Sequence, residues 1–239
     1  MPDRYGPRGV FALLIPQQNS CQQPEYEAMR PEGVNNQIFR FELESQDDVA
    51  AAVLKAVPGA HGCWPDMIVG GNSLEMRGWS VARQARYREE LLERANGVPV
   101  VNATDATEAA LRKVDARRIA IFVPLYQETL DSAAAYWEAV GFEVPYRTCM
   151  GIGHPRHSIG ITLAQVEAVF EEIDHDDVDT LVHIGGSLGI GDMIEPLEAK
   201  FGKPVLSVNQ NAYWYALRMH GIADPIPDRG RLLRESSIT

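Results

Sequence analysis

Met67-Ile-Val-Gly70-Gly71-Asn72-Ser73-Leu74 is answered later in the chain by Leu181-Val-His-Ile-Gly185-Gly186-Ser187-Leu188. Each stretch is a short apolar run that ends in two glycines and a hydroxyl or amide side chain. Such a run reads as a buried strand followed by a tight turn. Working outward, Phe11-Ala-Leu-Leu-Ile-Pro16-Gln-Gln returns as Ile119-Ala-Ile-Phe-Val-Pro124-Leu-Tyr126, and Val98-Pro99-Val-Val returns as Lys203-Pro204-Val-Leu. The order and spacing of the three echoes are alike in both halves. One duplication of this kind predicts two similar lobes rather than a solenoid.

The elements between the echoes alternate in type. Strands are expected over 10–15, 37–43, 66–69, 98–101, 118–123, 142–144, 180–184 and 204–208. Helices are expected over 47–57, 77–95, 104–113, 129–140, 162–173, 193–201 and 209–219. Ser45 is the candidate cap and Pro58-Gly59 the candidate stop of the first helix. Strands alternating with helices predict an α/β fold in which each lobe is a parallel sheet flanked by helices. The lobes are expected at 1–115 and 116–212, with 213–239 packing back on the first.

Composition narrows the function. The chain has 239 residues, 45% of them hydrophobic, and a formal net charge of −11. No Lys/Arg-rich run is present, which argues against nucleic acid. No apolar stretch is long enough for a bilayer, and the N-terminus lacks a signal-peptide pattern. The three cysteines, Cys21, Cys63 and Cys149, lie far apart without a CxxC, so the chain reads as reduced and cytoplasmic. Each cysteine reads as a small apolar side chain. GxGxxG and GxxxxGK[ST] are both absent, which argues against a nucleotide site. No cofactor or metal is expected, and the sequence leaves room for a homo-oligomer.

In parallel sheets ligands bind beyond the carboxyl ends of the strands. The polar sets after the strands are therefore the candidate site. Gly71 and the Gly185-Gly186 pair let backbone N–H groups approach an anion, with Asn72, Ser73 and Ser187 as further donors. The bland alternative is a pair of tight turns with no ligand. Asn19 would fix a carboxylate or form an Asx turn. Tyr126 would donate its hydroxyl to an anion or cap the core. Glu75 would act as a base, or is an ordinary first-turn helix acid. His183 would exchange protons, or is a core histidine; alternation puts it on the face opposite Ile184. His154-Pro-Arg-His157 reads as a loop over the cleft rather than a metal site, with Arg156 in reach of a carboxylate. Ile184, Trp64 and Trp79 are candidates for an apolar wall.

Taken together these pieces resemble the aspartate/glutamate racemase superfamily, in its maleate isomerase and arylmalonate decarboxylase branch. The resemblance rests on Ile15-Pro16-Gln17-Gln18-Asn19 with Pro24-Glu25, on Gly70–Leu74, and on Val123-Pro124-Leu125-Tyr126. It continues through Gly185-Gly186, Gly202-Lys-Pro-Val-Leu-Ser-Val-Asn, Ala212-Tyr-Trp214 and Gly230-Arg231-Leu232. It implies lobes related by a pseudo-two-fold axis with the substrate between them. It also implies a cysteine after the third strand of each lobe, or of one lobe in the decarboxylases. Gly71 and Ile184 stand at those two positions here. The expectation is therefore a cysteine-independent lyase or isomerase on a small carboxylic or dicarboxylic acid. Decarboxylation through an enediolate-like anion is preferred, held by Asn19, Asn72, Ser73, Tyr126 and the Gly185-Gly186 backbone. The alternatives are a maleate-type cis-trans isomerase or hydratase, and a non-catalytic carboxylate binder.

Overall fold

The computed structural model describes residues 3–71 and 76–234. Two four-stranded sheets carry the fold. The first contains β1 (Gly9–Pro16), β2 (Val34–Phe41), β3 (Met67–Val69) and β4 (Val100–Val101), in the order β2-β1-β3-β4. The second contains β5 (Arg118–Val123), β6 (Glu143–Cys149), β7 (Thr180–His183) and β8 (Val205–Ser207), in the order β6-β5-β7-β8. Every neighbouring pair is parallel. The second half thus repeats the strand order of the first, as the sequence echoes predict.

The helices are α1 (Gln22–Met29), α2 (Val49–Ala60), α3 (Val81–Ala95), α4 (Ala103–Lys113), α5 (Gln127–Ala139), α6 (Leu163–Ile173), α7 (Ile194–Phe201), α8 (Val208–Met219) and α9 (Gly230–Arg234). The central strands β1, β5 and β7 are apolar almost throughout and nearly all buried. That is the signature of strands covered by helices on both faces. The edge strand β2 keeps Asn, Gln and Arg among its apolar residues, and most of it is only half-buried.

Local chemistry sets the helix ends. Ser80 accepts the Arg83 N–H at the start of α3, and Asn102 accepts the Asp105 N–H at the start of α4. Thr162 and Gln165 form a reciprocal capping box on α6. Asn96 and Gly202 end α3 and α7 in the left-handed conformation. Ser45 does not cap α2; a 3-10 turn over Gln46–Asp48 intervenes, and Ser45 Oγ bonds Asp48 Oδ2 at 2.9 Å.

α8 joins the two halves. It packs on α1, α4, β3 and β4 of the first, and also on β8. Tyr213 and Trp214 are fully buried, and Tyr213 stacks on Tyr26 with ring centroids 5.1 Å apart. α9 lies against α7 of the second lobe, so this part of 213–239 departs from the expected packing on the first. Gly230 explains the placement: its N–H donates to Glu195 Oε2 at 2.8 Å, which ties α9 to α7. Among the described residues no helix is long and apolar enough to cross a membrane.

Candidate active site

The carboxyl ends of β1, β3 and β7 meet at one cleft between the lobes. Its described walls are Pro16, Gln18, Asn19, Gln22, Leu43, Val49 and Gly71 from the first lobe, with Pro155, Gly186 and Ser187 from the second. The space between these described walls is about 40 Å³ and partly open to solvent.

After β1 the chain turns at once, with Asn19 N–H donating to Pro16 O at 3.0 Å. Asn19 Oδ1 accepts the N–H groups of Cys21 and Gln22 at 3.1 and 2.9 Å, and so opens α1. Its Nδ2 donates across the lobes to Gly186 O at 2.5 Å. Arg40 of β2 fixes the turn from outside through the Asn19 carbonyl at 2.6 Å. Asn19 is thus both an Asx-type cap and a bridge between lobes.

After β7 the Gly185-Gly186-Ser187 turn closes with Leu188 N–H on Gly185 O at 3.1 Å. Among the described residues nothing accepts the N–H of Gly186 or Ser187. Ser187 Oγ and Gln18 Oε1 are buried without partners among the described residues. Unpaired polar groups on a cleft wall are a cost unless a ligand or water meets them. Two successive N–H groups without an acceptor among the described residues, next to a hydroxyl, are donors that an anion can use. On the opposite side, a Cβ on Gly71 would stand 3.1 Å from Val53 Cγ2 and 3.5 Å from Val49 Cγ1. α2 packs closely there, so a larger residue at this position requires Val53 to give by a few tenths of an ångström.

Asn19, Gly71, Gly186 and Ser187 therefore share one cleft. The others are placed differently. Asn72, Ser73 and Glu75 lie outside the described residues. Gly185 is buried at the start of the turn. Ile184 is fully buried in the core shared by the two lobes. His183 is fully buried too, with its ring 4.7 Å from Phe122 and Nδ1 3.1 Å from Ser207 Oγ. Burial holds its pKa down at about 3, so it stays neutral and faces the core of the second lobe. An exchange of protons between His183 and a ligand has no support in this placement; the core-histidine reading fits it. Trp64 is 89% exposed, ahead of β3 at the far end of the sheet, and Trp79 is buried with Nε1 on Gln84 Oε1 at 2.9 Å. Neither forms a cleft wall; Leu43, Val49 and Pro155 do.

Tyr126 precedes α5, and its hydroxyl donates to Gly153 O at 2.8 Å. Ile152 N–H donates to Pro124 O at 2.9 Å. These two bonds seat residues 151–160 so that Pro155 reaches the cleft. His154 and His157 stay together there, ring centroids 5.5 Å apart, and among the described residues no group of three metal-binding side chains forms. Replacing Tyr126 by phenylalanine should weaken this latch by about 1 kcal/mol, the net worth of one hydrogen bond. Amide exchange at 151–157 should accelerate about fivefold to tenfold; unchanged exchange would show that the hydroxyl does not hold the loop.

None of the three thiols lines the cleft. Cys21 is half-buried and donates to Ser187 O at 3.2 Å, and it faces an adjoining cavity with Glu25. Cys63 sits in the turn before β3 and Cys149 at the end of β6. Burial pushes both of those thiols above their usual range, which disfavours thiolate. Sequence reasoning missed Glu25 as a site residue. Burial raises its pKa to about 7, against hydrogen bonds from Asn209 and Gly191 that lower it. In sequence it is one more acid in a helix's first turn, and its partners all come from the other lobe.

Comparison with known proteins agrees with this fold. A family model described as arylmalonate decarboxylase matches residues 49–233. The maleate isomerase of Nocardia farcinica (strain IFM 10152) is 29% identical over 212 residues, covering 87% of this chain and 80% of that protein. A mutant of the Nocardia farcinica maleate cis-trans isomerase, solved with a covalently bound succinylcysteine intermediate, matches 94% of this chain and 98% of that one. Its TM-score is 0.82 at 23% identity. An arylmalonate decarboxylase crystal structure matches with a TM-score of 0.77 at 18% identity, over 94% of this chain and 98% of that one.

Proposed function

Because this chain belongs to the arylmalonate decarboxylase family, whose members are lyases and isomerases of carboxylic acids that need no cofactor, we propose that it is a cysteine-independent enzyme of that kind. Its substrate is a small carboxylic or dicarboxylic acid bound in the interlobe cleft, and decarboxylation is the preferred reaction. The observation that carries this reading is the glycine turn after β7. Its Gly186 and Ser187 N–H groups and the Ser187 hydroxyl have no partner among the described residues, while the strand ends that precede and face it bear Ile184 and Gly71 instead of thiols.

In this reading one carboxylate is taken by the N–H groups of Gly186 and Ser187, with Asn72 and Ser73 as further donors; Asn19, whose amide already donates to Gly186 O and Gln22 Oε1, holds the turn in place. A second carboxylate lies against Leu43, Val49 and Pro155. An apolar wall strips water from that group and favours its loss as carbon dioxide. The carbon–carbon bond breaks and its electron pair moves onto the retained carboxyl group, which becomes an enediolate. Directed N–H donors stabilise that charge as it forms. A proton then adds to carbon, from Glu75 or from water. The described cleft walls hold only amide, hydroxyl and apolar side chains, so the donor comes from elsewhere.

A panel of malonates, unsaturated diacids and hydroxy acids in heavy water, followed by NMR, tests this. Loss of carbon dioxide with one deuterium at the α-carbon supports decarboxylation, and Glu75→Gln should slow that step at least about tenfold if Glu75 is the acid. A cis-trans change without loss of carbon would make the chain an isomerase of the maleate type. Binding with neither turnover nor deuterium uptake across the panel would contradict catalysis.

A further inference from the structure

Glu25 stands on α1 of the first lobe and reaches into the glycine loop of the second. Its Oε1 accepts the Gly191 N–H at 2.6 Å, and its Oε2 accepts Asn209 Nδ2 at 2.6 Å. The same Asn209 Nδ2 donates to Gly186 O at 3.1 Å, beside the bond from Asn19. The loop is shaped around this carboxylate. A Cβ on Gly191 would lie 2.9 Å from Glu25 Oε1, and one on Gly189 would lie 2.9 Å from Cys21 Cβ and 3.2 Å from Glu25 Cδ.

We propose that Glu25 is a positioning residue for the anion site: in its carboxylate form it holds the loop from Gly186 to Gly191, through Gly191 and Asn209, in the shape that presents the Gly186 and Ser187 N–H groups to a bound acid. The proposal rests on the carboxylate reading above and deepens it. The partners of Glu25, the Gly191 and Ile190 N–H groups and Asn209 Nδ2, are all donors, so the ionised form satisfies them and a protonated one sets an O–H against N–H groups. Asn209 Oδ1 is buried and has no partner among the described residues. A protonated Glu25 therefore favours turning the Asn209 amide over, which offers Oδ1 to the new O–H and takes Nδ2 away from Gly186 O. The carbonyl of Gly186 and the N–H of Ser187 share one planar trans peptide unit. Asn19 Nδ2 still holds Gly186 O, but Asn209 Oδ1 then faces that carbonyl where Nδ2 had bonded it, and the repulsion tilts the peptide unit and the Ser187 N–H with it.

The groups that face Glu25 fit such a switch. Cys21 and Tyr26 lie on its own helix, Asp192 on the loop, and Arg229 on the segment before α9. Burial is the largest influence and Asp192 adds to it, so the carboxyl titrates at about 7. The ionised fraction then falls from nearly all at about pH 8.5 to about a tenth at about pH 6, and apparent affinity falls with the competent fraction, about tenfold.

The test uses fumarate, a diacid ionised throughout this range. Calorimetric titration of the wild type should show binding about tenfold weaker at about pH 6 than at about pH 8.5. Glu25→Gln should bind weakly at both, with a flat profile. Amide-exchange protection over 186–191, measured without ligand and corrected for intrinsic rates, should follow the same pattern. A flat wild-type profile, affinity that tightens toward acid, or a Glu25→Gln variant that keeps the wild-type pH dependence would overturn the proposal. If fumarate fails to bind at either pH, the carboxylate reading has failed instead. The exchange data then decide on Glu25 alone: pH-dependent protection lost in Glu25→Gln supports the clamp, and equal protection sinks it.

Discussion

Replacing Gly186 by alanine is expected to lower turnover at least about tenfold, because the added methyl displaces the turn whose N–H groups face the oxyanion; outright loss of one such donor costs about a hundredfold to a thousandfold. The chain should still fold. Gly186 is not among the residues with positive φ, so alanine can adopt its backbone. The added Cβ would lie 3.1 Å from Asn209 Oδ1, 3.9 Å from Gln22 Nε2 and 4.0 Å from Asn19 Nδ2. The first of these contacts is tight, and Asn209 has to give by a few tenths of an ångström. That shift strains its bonds to both Gly186 O and Glu25. The methyl group is thus inserted where side chains of both lobes secure the turn. Overpacking one methyl typically costs about 1–3 kcal/mol, less than most folded domains possess. Turnover within about threefold of wild type, in a folded Gly186→Ala protein, would mean that the Gly186 turn does not contact the reacting group.

The second large effect concerns acid stability and His183. Its pKa in the fold lies near 3, below the ordinary 6.5, because it is buried. Its Nε2 has no partner among the described residues, so an added proton would stay unsatisfied there. The unfolded chain gains that proton near pH 6.5 and the folded chain does not. The stabilisation is therefore complete above that pH and is lost as pH falls toward 3, by about 1.4 kcal/mol per unit. Between about pH 7.5 and pH 4.5 the loss from His183 is about 3 kcal/mol. Glu25 acts in the opposite sense. Its pKa is raised, so its protonation favours the folded state as pH falls below 7, by an amount reduced by its partial exposure. Comparing wild type with His183→Gln cancels the Glu25 contribution. Denaturant titrations at the two pH values should give a wild-type loss about 3 kcal/mol larger than that of the variant. Equal losses would show that His183 is protonated in the fold. Turnover of the variant at neutral pH should stay within about threefold of wild type, since the ring faces the core.

Much of the fold was legible because its central strands are covered on both faces. β1, β5 and β7 read as unbroken apolar runs, and the echo between halves gave their equivalence. The edge elements read less well. β6 extends over Glu143–Cys149, well beyond the expected 142–144, because its polar residues face solvent. α1 was not expected: Gln22–Met29 has a weak apolar pattern and a proline in its first turn. Asn19 caps it from outside, and the burial of Tyr26 and Met29 holds it in place. α2 runs through Pro58 to Ala60, since a proline there removes only one bond of the last turns. The long helix expected from 77 begins at Val81, because Gly78 is left-handed and Ser80 supplies the cap.

The site follows the same division. The glycine turns were legible because their spacing repeats and glycine has few uses at a strand end. His183 was misleading because alternation on a strand buried on both faces sends each side chain into a core. Ile184 enters the one shared by the lobes, and His183 faces Phe122 in the other. Glu25 could not be read at all, since its partners, Gly191 and Asn209, lie more than half the chain away and meet it only when the lobes close on each other.

The most direct test of sulfur-free chemistry is a variant with Cys21, Cys63 and Cys149 all replaced by alanine, assayed on the acid that the heavy-water panel identifies. The account predicts turnover within about threefold of wild type and no mass adduct on the native protein after reaction. Turnover lost in the cysteine-free chain, or a substrate-derived adduct on any of the three thiols, would contradict it.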